Sequence, residues 1–268
     1  MAKDIIPRDE SGIPQENIYK ALEKATPGGL IGKLLGGIKL EKAAQTTKLN
    51  LSDAAGLHDL EFLRFYPNLD TLILLNSDVA DLSGLAHVPN LTRLNLATNF
   101  TGGLDLSPLS SCPELIELEL LVGRPYADRE KPGTELLVRG LTNLRLPAIQ
   151  YLYLPGLGIK DIGFTRGMTQ LCNLELACNP LENLAPLRGH SALREVDFSV
   201  CGLVDISALA ELPGLSWVEL SGNPITDYSP LLKTPGLEYI SGGAELDAKQ
   251  KEYWTEMFSH IEEADFDI

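Results

Sequence analysis

A period of 22 residues runs through most of this chain and limits the folds that it can adopt. The apolar residues that open successive units are Leu69, Leu91, Leu115, Ile149, Leu171, Leu193, Leu215 and Leu237. Further apolar residues follow at offsets 3 and 5, as Val196 and Phe198 follow Leu193. A unit this short cannot bury its apolar face alone, so neighbouring units have to stack into a continuous core. The sequence therefore predicts a repeat architecture.

Asparagine recurs at offset 8 of the repeat, as Asn99, Asn179 and Asn223. Its amide can satisfy backbone groups at the turn that leaves a strand, so we predict a ladder of asparagines from coil to coil. The ladder is incomplete, because the same offset holds Ser77, Gly123, Leu157 and Cys201. We predict a structural role for Cys201 at its ladder position.

The stretches LTRLNLATN, LCNLELACN and LSWVELSGN resemble the short leucine-rich repeats of the internalins and of a regulatory subunit of the type-one protein phosphatase. The resemblance covers roughly residues 46 to 243. It implies an α/β repeat fold: a curved, right-handed solenoid of about nine coils, with a parallel concave sheet and a short helical or extended convex side. The segment IPQENIYKALEKA resembles the helical cap before internalin-type repeats, which favours a bacterial origin.

Three regions are predicted along the chain. Residues 1–45 form an N-terminal helical cap and a glycine-rich connector, whose GGLIGKLLGG lacks the order of a phosphate-binding loop. Residues 46–243 form the repeats, with an insertion around 122–141. Residues 244–268 form a capping helix with Asp247 as its N-cap, followed by a frayed acidic tail. The apolar face predicted for this helix consists of Tyr253, Trp254, Met257, Phe258 and Ile261.

The insertion concentrates basic and aromatic residues in an otherwise acidic chain. Its candidate binding residues are Arg124, Tyr126 and Arg129. Insertions in repeat proteins map to loops, often on a functional face, so one interpretation is a recognition loop. The other interpretation is a surface excursion without function, because long surface loops are tolerated at low cost.

The outward positions of the predicted concave sheet are acidic and aromatic in the second half of the chain. The candidate partner-binding residues are Glu117, Glu119, Tyr151, Tyr153, Glu175, Glu195, Asp197, Trp217, Glu219 and Tyr239. Carboxylates on a solvated sheet can serve solubility alone, but exposed tryptophan and tyrosine on the same face favour a binding surface. A divalent cation held by Glu175, Asp197 and Glu219 is the less favoured alternative, because no known metal-loop motif is present.

The charge balance favours a basic protein as the partner. The chain has 22 Lys and Arg against 37 Asp and Glu, a formal net charge of −15. Such a surface repels phosphate backbones and anionic lipids, so we expect neither nucleic acid nor membrane insertion. We expect a monomer.

The repeat pattern does not bring residues of catalytic type together at one site. His58, His87 and His190 fall in the convex or turn part of their coils, and His260 falls in the C-terminal helix. Cys178 is expected to be exposed near Glu175, without a basic neighbour to lower its pKa. We therefore predict no enzyme activity, no cofactor and no metal.

The sequence thus predicts a non-catalytic scaffold that binds a basic protein through its concave face. A secreted or surface adhesion module of internalin type and a toxin-neutralising protein are the alternatives. The N-terminal residues lack a long apolar segment, which favours a cytoplasmic location. A signal peptide removed from the chain would make it secreted or cell-surface.

Overall fold

The computed structural model describes residues 5–6, 16–26, 37–123 and 137–267. The chain divides into two compact units. The first unit comprises Met1–Gly123 and Arg139–Ala148, and the second comprises Arg124–Val138 and Ile149–Ile268. Each unit is built from coils in which a short strand is followed by a turn and, in most coils, a single 3₁₀ helix.

The first unit begins with helices α1 (Glu16–Ala25) and α2 (Leu40–Ala44). Its parallel sheet has the order β1 (Lys48–Asn50), β2 (Thr71–Ser77), β3 (Arg93–Thr98) and β5 (Glu117–Val122). The two-residue strand β4 (Leu104–Asp105) stands apart from this sheet, and β6 (Val138–Arg139) lies where the chain passes between the units. The 3₁₀ helices are Glu61–Phe65, Ser83–His87, Ser107–Ser111 and Leu141–Asn143.

The second unit repeats the arrangement more regularly. Its parallel sheet has the order β7 (Tyr151–Tyr153), β8 (Asn173–Glu175), β9 (Glu195–Asp197), β10 (Trp217–Glu219), β11 (Tyr239–Ser241) and β12 (Glu263–Asp265). Helix α3 (Ala248–Met257) precedes the last strand. The 3₁₀ helices are Gly163–Gly167, Ala185–Leu187, Ser207–Glu211 and Ser229–Lys233.

The repeat leucines form the core of each unit. The middle residue of each short strand points inward, and Leu174, Val196 and Val218 are almost fully buried. The residues on either side of it point outward, because side chains alternate along a strand. In-register parallel pairing then lines up equivalent residues of successive coils in straight rows.

The asparagine ladder exists in the second unit. Asn223 is fully buried, its Oδ1 accepts from the backbone N–H groups of Cys201 (3.0 Å) and Leu203 (2.9 Å), and its Nδ2 donates to the carbonyls of Phe198 and Leu220 at 2.8 Å. Asn179 makes the equivalent bonds one coil earlier. Each amide thus ties neighbouring coils together at the turn.

The prediction that Asn99 belongs to this ladder is wrong, since its side chain is exposed. The pairing of β2 with β3 shifts register between Leu74 and Ser77, which moves the inward position to Thr98. The hydroxyl of Thr98 donates to the carbonyl of Val79 (2.7 Å), and that of Ser77 donates to Ala97 (3.0 Å). Hydroxyls therefore replace the amide ladder in this unit.

Cys201 is structural, as predicted from its ladder position. It is fully buried, and its Sγ lies 3.2 Å from the carbonyl oxygen of Leu176. Burial raises the pKa of the Cys201 thiol to about 12, so the group remains a neutral thiol at physiological pH.

The turns after β7, β8, β9 and β10 have left-handed backbone at offset 7. Gly156 and Gly222 supply it with φ of 62° and 68°, but Cys178 and Val200 adopt φ of 60° and 54° at the same offset. A β-branched residue in this region is strained. This geometry also corrects the expectation that Cys178 is exposed, because the turn directs the side chain inward and buries it.

Helix α3 begins at the predicted N-cap. The Asp247 carboxylate accepts from the backbone N–H groups of Lys249 and Gln250, and the Gln250 side chain completes a capping box. The predicted apolar face is only partly right: Trp254 and Phe258 are buried, whereas Tyr253 is 52% exposed and Met257 is 37% exposed. The helix therefore buries a narrower stripe than its sequence indicates.

The prediction of a frayed acidic tail is wrong. Residues Glu263–Asp265 form β12, which pairs in parallel with β11. The following Phe266 is 2% exposed, and its ring packs edge-on against Tyr228 with 5.0 Å between centroids. One buried aromatic side chain therefore anchors the tail as the last strand of the second unit.

Candidate functional site

Two rows of outward side chains cross the sheet of the second unit, and together we name them the second-unit face. The first row is Tyr151, Asn173, Glu195, Trp217, Tyr239 and Glu263. The second row is Tyr153, Glu175, Asp197, Glu219, Ser241 and Asp265, of which Ser241 is fully buried. Neither row contains lysine or arginine. Because adjacent parallel strands lie about 4.8 Å apart, the carboxylates of neighbouring coils reinforce a single negative field.

The aromatic centre of this face is a stacked pair. The rings of Trp217 and Tyr239 are 3.7 Å apart between centroids and are inclined by 8°. Trp217 is nevertheless 46% exposed. Tyr151 is 36% exposed at the far end of the row, and Tyr153 is half-buried. A large indole exposed on a sheet face is the kind of side chain that dominates interface energetics.

Glu219 is engaged inside the protein. One carboxylate oxygen accepts from the backbone N–H of Ser221 (2.9 Å) and from the hydroxyls of Ser221 and Ser241. The other oxygen accepts from the Tyr239 hydroxyl at 3.1 Å. Burial is the main reason that the pKa of Tyr239 is raised, which keeps its hydroxyl protonated as the donor. Glu219 therefore holds Tyr239, one member of the stacked pair, in place through this hydrogen bond.

Asp197 is half-buried in a similar local turn. It accepts from the backbone N–H (2.8 Å) and the hydroxyl (2.6 Å) of Ser199. The pKa of Asp197 is nevertheless raised, mainly by desolvation and further by the charge of Glu219, against the lowering effect of the Ser199 hydrogen bonds. Its negative charge is thus held at a cost that an approaching cation would relieve.

Glu195 is the exposed carboxylate beside the stacked pair. Its Oε2 accepts a hydrogen bond from the Asn173 side chain on β8. Trp217 lies on β10, on the opposite side of Glu195 in the same row. The carboxylate is therefore drawn away from the indole, and the outer face of the Trp217 ring is turned toward the space between them.

The equivalent face of the first unit is balanced in charge. Its outward rows, the first-unit face, are Lys48, Thr71, Arg93 and Glu117, and Asn50, Ile73, Asn95 and Glu119. The Nε of Arg93 lies 3.4 Å from the Glu117 carboxylate, and the Asn95 amide donates to Glu119. Glu117 and Glu119 lie outward as predicted, but each has an intramolecular partner.

The predicted insertion residues Arg124, Tyr126 and Arg129 lie outside the described residues.

His190 is buried, with its two ring nitrogens each 3.0 Å from a backbone carbonyl oxygen, of Leu187 and of Thr165. His260 follows the end of α3 in a turn, which corrects its predicted place inside the helix. Over the part of the chain that the structure describes, no three His, Cys, Asp or Glu side chains are grouped to hold a metal ion.

Sequence reasoning missed Glu263 and Asp265, which extend the two rows by one strand. Their strand carries no leucine of the repeat pattern. The available signal was the alternation of Ala264 and Phe266 with three acidic residues, which fits a half-buried strand.

Comparison with known proteins rests on structure. A scan against protein-family models and a search of curated proteins found no match. Among solved structures, internalin C2 of Listeria monocytogenes matches with a TM-score of 0.70 and 23% identity, over 90% of this chain and 98% of the other. The internalin InlF of the same species matches with a TM-score of 0.58 and 16% identity, over 99% and 87%.

The fold is a leucine-rich repeat solenoid. TLR13, solved in complex with ssRNA13, has the same kind of fold, with a TM-score of 0.54 and 20% identity over 76% of this chain and 31% of the other. Leucine-rich repeat proteins are typically protein-interaction modules. The same architecture is thus compatible with both protein and RNA partners. The class of partner depends on the chemistry of the face.

No helix among the described residues has both the length and the apolar character needed to cross a membrane.

Proposed function

We propose that this leucine-rich repeat protein is a non-catalytic scaffold that binds a basic segment of a partner protein on its second-unit face. The observation that carries the proposal is the exposed Trp217–Tyr239 stack inside two rows that hold six carboxylates and no basic residue. Aromatic anchors supply contact area, and the carboxylates select and orient a cationic partner.

Charge complementarity favours a protein over RNA as the partner. A chain with a net charge of −15 repels a phosphate backbone. The carboxylates of Glu195, Asp197 and Glu219 make no ion pair with a lysine or arginine among the described residues, unlike Glu117 in the first unit. Lysine and arginine side chains of a partner would supply the missing countercharge.

The test compares matched variants on the two faces. The wild-type chain, a Glu195→Lys/Trp217→Ala variant and a Glu117→Lys/Thr71→Ala variant are used to capture proteins from the lysate of the source organism. We expect a protein with a basic surface to bind to the wild type and to the first-unit variant, to be lost from the second-unit variant, and to dissociate as salt is raised.

Thermal unfolding of all three proteins serves as the control, since the substitutions lie in the outward rows and leave the repeat leucines intact. Retention of the same partner by the second-unit variant would refute the proposed site. An acidic partner, or a nucleic acid, captured by the wild type would refute the proposed chemistry.

Two related functions share this surface. A secreted adhesion module or a toxin-neutralising protein would use the same face, and the identity of the captured partner separates these from a cytoplasmic scaffold.

A further inference from the structure

The second-unit face contains one position shaped for a flat cation. Trp217 occupies the first row between Glu195 on β9 and Tyr239 on β11. One face of its ring is covered by Tyr239 at 3.7 Å. The opposite face is turned toward Glu195, and the indole remains 46% exposed.

Glu195 is the neighbour of Trp217 in the first row. Its carboxylate accepts a hydrogen bond from Asn173 on β8, so the side chain is directed away from Trp217 on β10. Two neighbouring positions of one row thus present a carboxylate and an aromatic plane side by side. We name the position between Glu195 and the outer face of Trp217 the planar slot.

The walls of the planar slot are held in place by the protein. Tyr239 backs the indole and is itself fixed by its hydrogen bond to Glu219 at 3.1 Å. Asn173 holds Glu195 on the other side. Preorganised groups of this kind lose little side-chain entropy when a ligand binds, which favours selectivity over non-specific charge attraction.

We infer that the planar slot receives an arginine side chain of the partner, with its guanidinium stacked on Trp217 and hydrogen-bonded to Glu195. This inference rests on the proposed function and specifies the chemistry of its partner. A guanidinium is planar, stacks on aromatic rings and presents parallel N–H donors to a carboxylate. A lysine ammonium is compact and strongly hydrated, so it can pair with Glu195 without using the indole plane.

The other charged and titratable groups around the planar slot are consistent with a cation. Asp197 lies on the same strand as Glu195, and Glu219 lies on the same strand as Trp217. No lysine or arginine occupies either row of this face. An acidic side chain would find no lysine or arginine in either row to pair with.

The test uses three pentapeptide probes with the full-length chain: acetyl-Gly-Arg-Gly-Arg-Gly-amide and the same peptide with lysine or with citrulline in place of arginine. Binding is followed by tryptophan fluorescence, because the chain has only 2 tryptophans and the other, Trp254, is buried. We expect the arginine peptide to bind about threefold to tenfold more tightly than the lysine peptide, and citrulline to bind weakest.

Three variants separate stacking from charge. Trp217→Ala is expected to abolish the preference for arginine over lysine, whereas Trp217→Phe retains part of it; their binding is followed by calorimetry. Glu195→Gln is expected to weaken the arginine peptide about fivefold or more, and the matched first-unit variant Glu117→Gln is expected to leave its affinity unchanged. Circular dichroism checks that each variant is folded.

Equal binding of arginine and lysine peptides, or an arginine preference that survives Trp217→Ala, would overturn the planar slot. So would an absence of detectable binding by the arginine peptide. None of these outcomes bears on the capture experiment with matched face variants, in which a basic partner can still bind the second-unit face by charge alone.

Discussion

On the first-unit face, Arg93 lies against Glu117, and the Asn95 amide N–H donates to Glu119, so both carboxylates have a partner within the face. On the second-unit face, the same kind of strand carries carboxylates beside aromatic rings, and its Asp197 is held in an unfavourable charged state. Both sheets are parallel and built from the same short repeat, yet their outward rows differ in charge. This difference supports the proposal that the second-unit face binds a cationic partner.

The turns that follow the strands also differ between the two units. Buried amides of Asn179 and Asn223 connect the coils of the second unit, whereas hydroxyls of Ser77 and Thr98 serve in the first. An amide both donates and accepts, so it can satisfy several backbone groups at once. The regular second-unit ladder keeps successive strands in register, which aligns the rows of its face.

The largest expected effect comes from removing one amide of this ladder. Asn223→Ala leaves two backbone N–H groups and two carbonyls without their partner, and we expect the free energy of unfolding to fall by about 3–4 kcal/mol. Thr98→Val in the first unit removes fewer bonds and is expected to cost about 1–1.5 kcal/mol. Urea denaturation measures both, and the exposed Asn99→Ala is the control with an effect below about 0.5 kcal/mol. Equal costs at positions 223 and 99 would refute the ladder.

Phe266→Ala tests the assignment of the tail to the second-unit sheet. The ring is buried against Tyr228 and Phe258, and we expect its removal to cost about 3 kcal/mol. Hydrogen exchange should then show faster exchange in β12, which carries Glu263 and Asp265. The exposed Asp267→Ala is the matched control. Unchanged stability would remove these two carboxylates from the second-unit face.

Val200→Asn makes a second-unit turn resemble its first-unit counterpart. Asn76 adopts φ of 52° at the same offset, and asparagine tolerates this region better than a β-branched residue. We expect a gain of roughly 1 kcal/mol in the free energy of unfolding. Asn76→Val is the reciprocal variant and should be destabilising in thermal denaturation. A loss of stability in Val200→Asn would show that packing of the valine outweighs its backbone strain.

The smallest effect concerns the charge of Asp197. Because the pKa of this carboxyl is raised by folding, its contribution to stability is present below the ordinary carboxyl pKa and is lost as the pH rises through the folded value. Asp197→Asn can still accept from Ser199, so we expect it to be more stable than the wild type at pH 7 by less than about 1 kcal/mol. The advantage should vanish in acid. A variant that is less stable at pH 7 would contradict the raised pKa.

The fold could be predicted from the sequence because the 22-residue period is explicit in the leucines. The same period predicted most residues of the outward rows. It could not reveal the register shift between Leu74 and Ser77 that displaces Asn99, since a bulge leaves the residue pattern intact. It also could not show that the left-handed turn buries Cys178, or that Asn173 draws Glu195 away from Trp217. Those features depend on backbone conformation and on rotamers rather than on spacing.

Residue-resolved NMR shift mapping of the isotope-labelled chain with the arginine pentapeptide tests the contrast between the two faces most directly. We predict that the largest shifts occur in β9, β10 and β11 and at the Trp217 indole N–H, while β2, β3 and β5 and the buried Trp254 indole remain unaffected. Shifts concentrated on the first-unit face or on residues 124–136 would contradict the account.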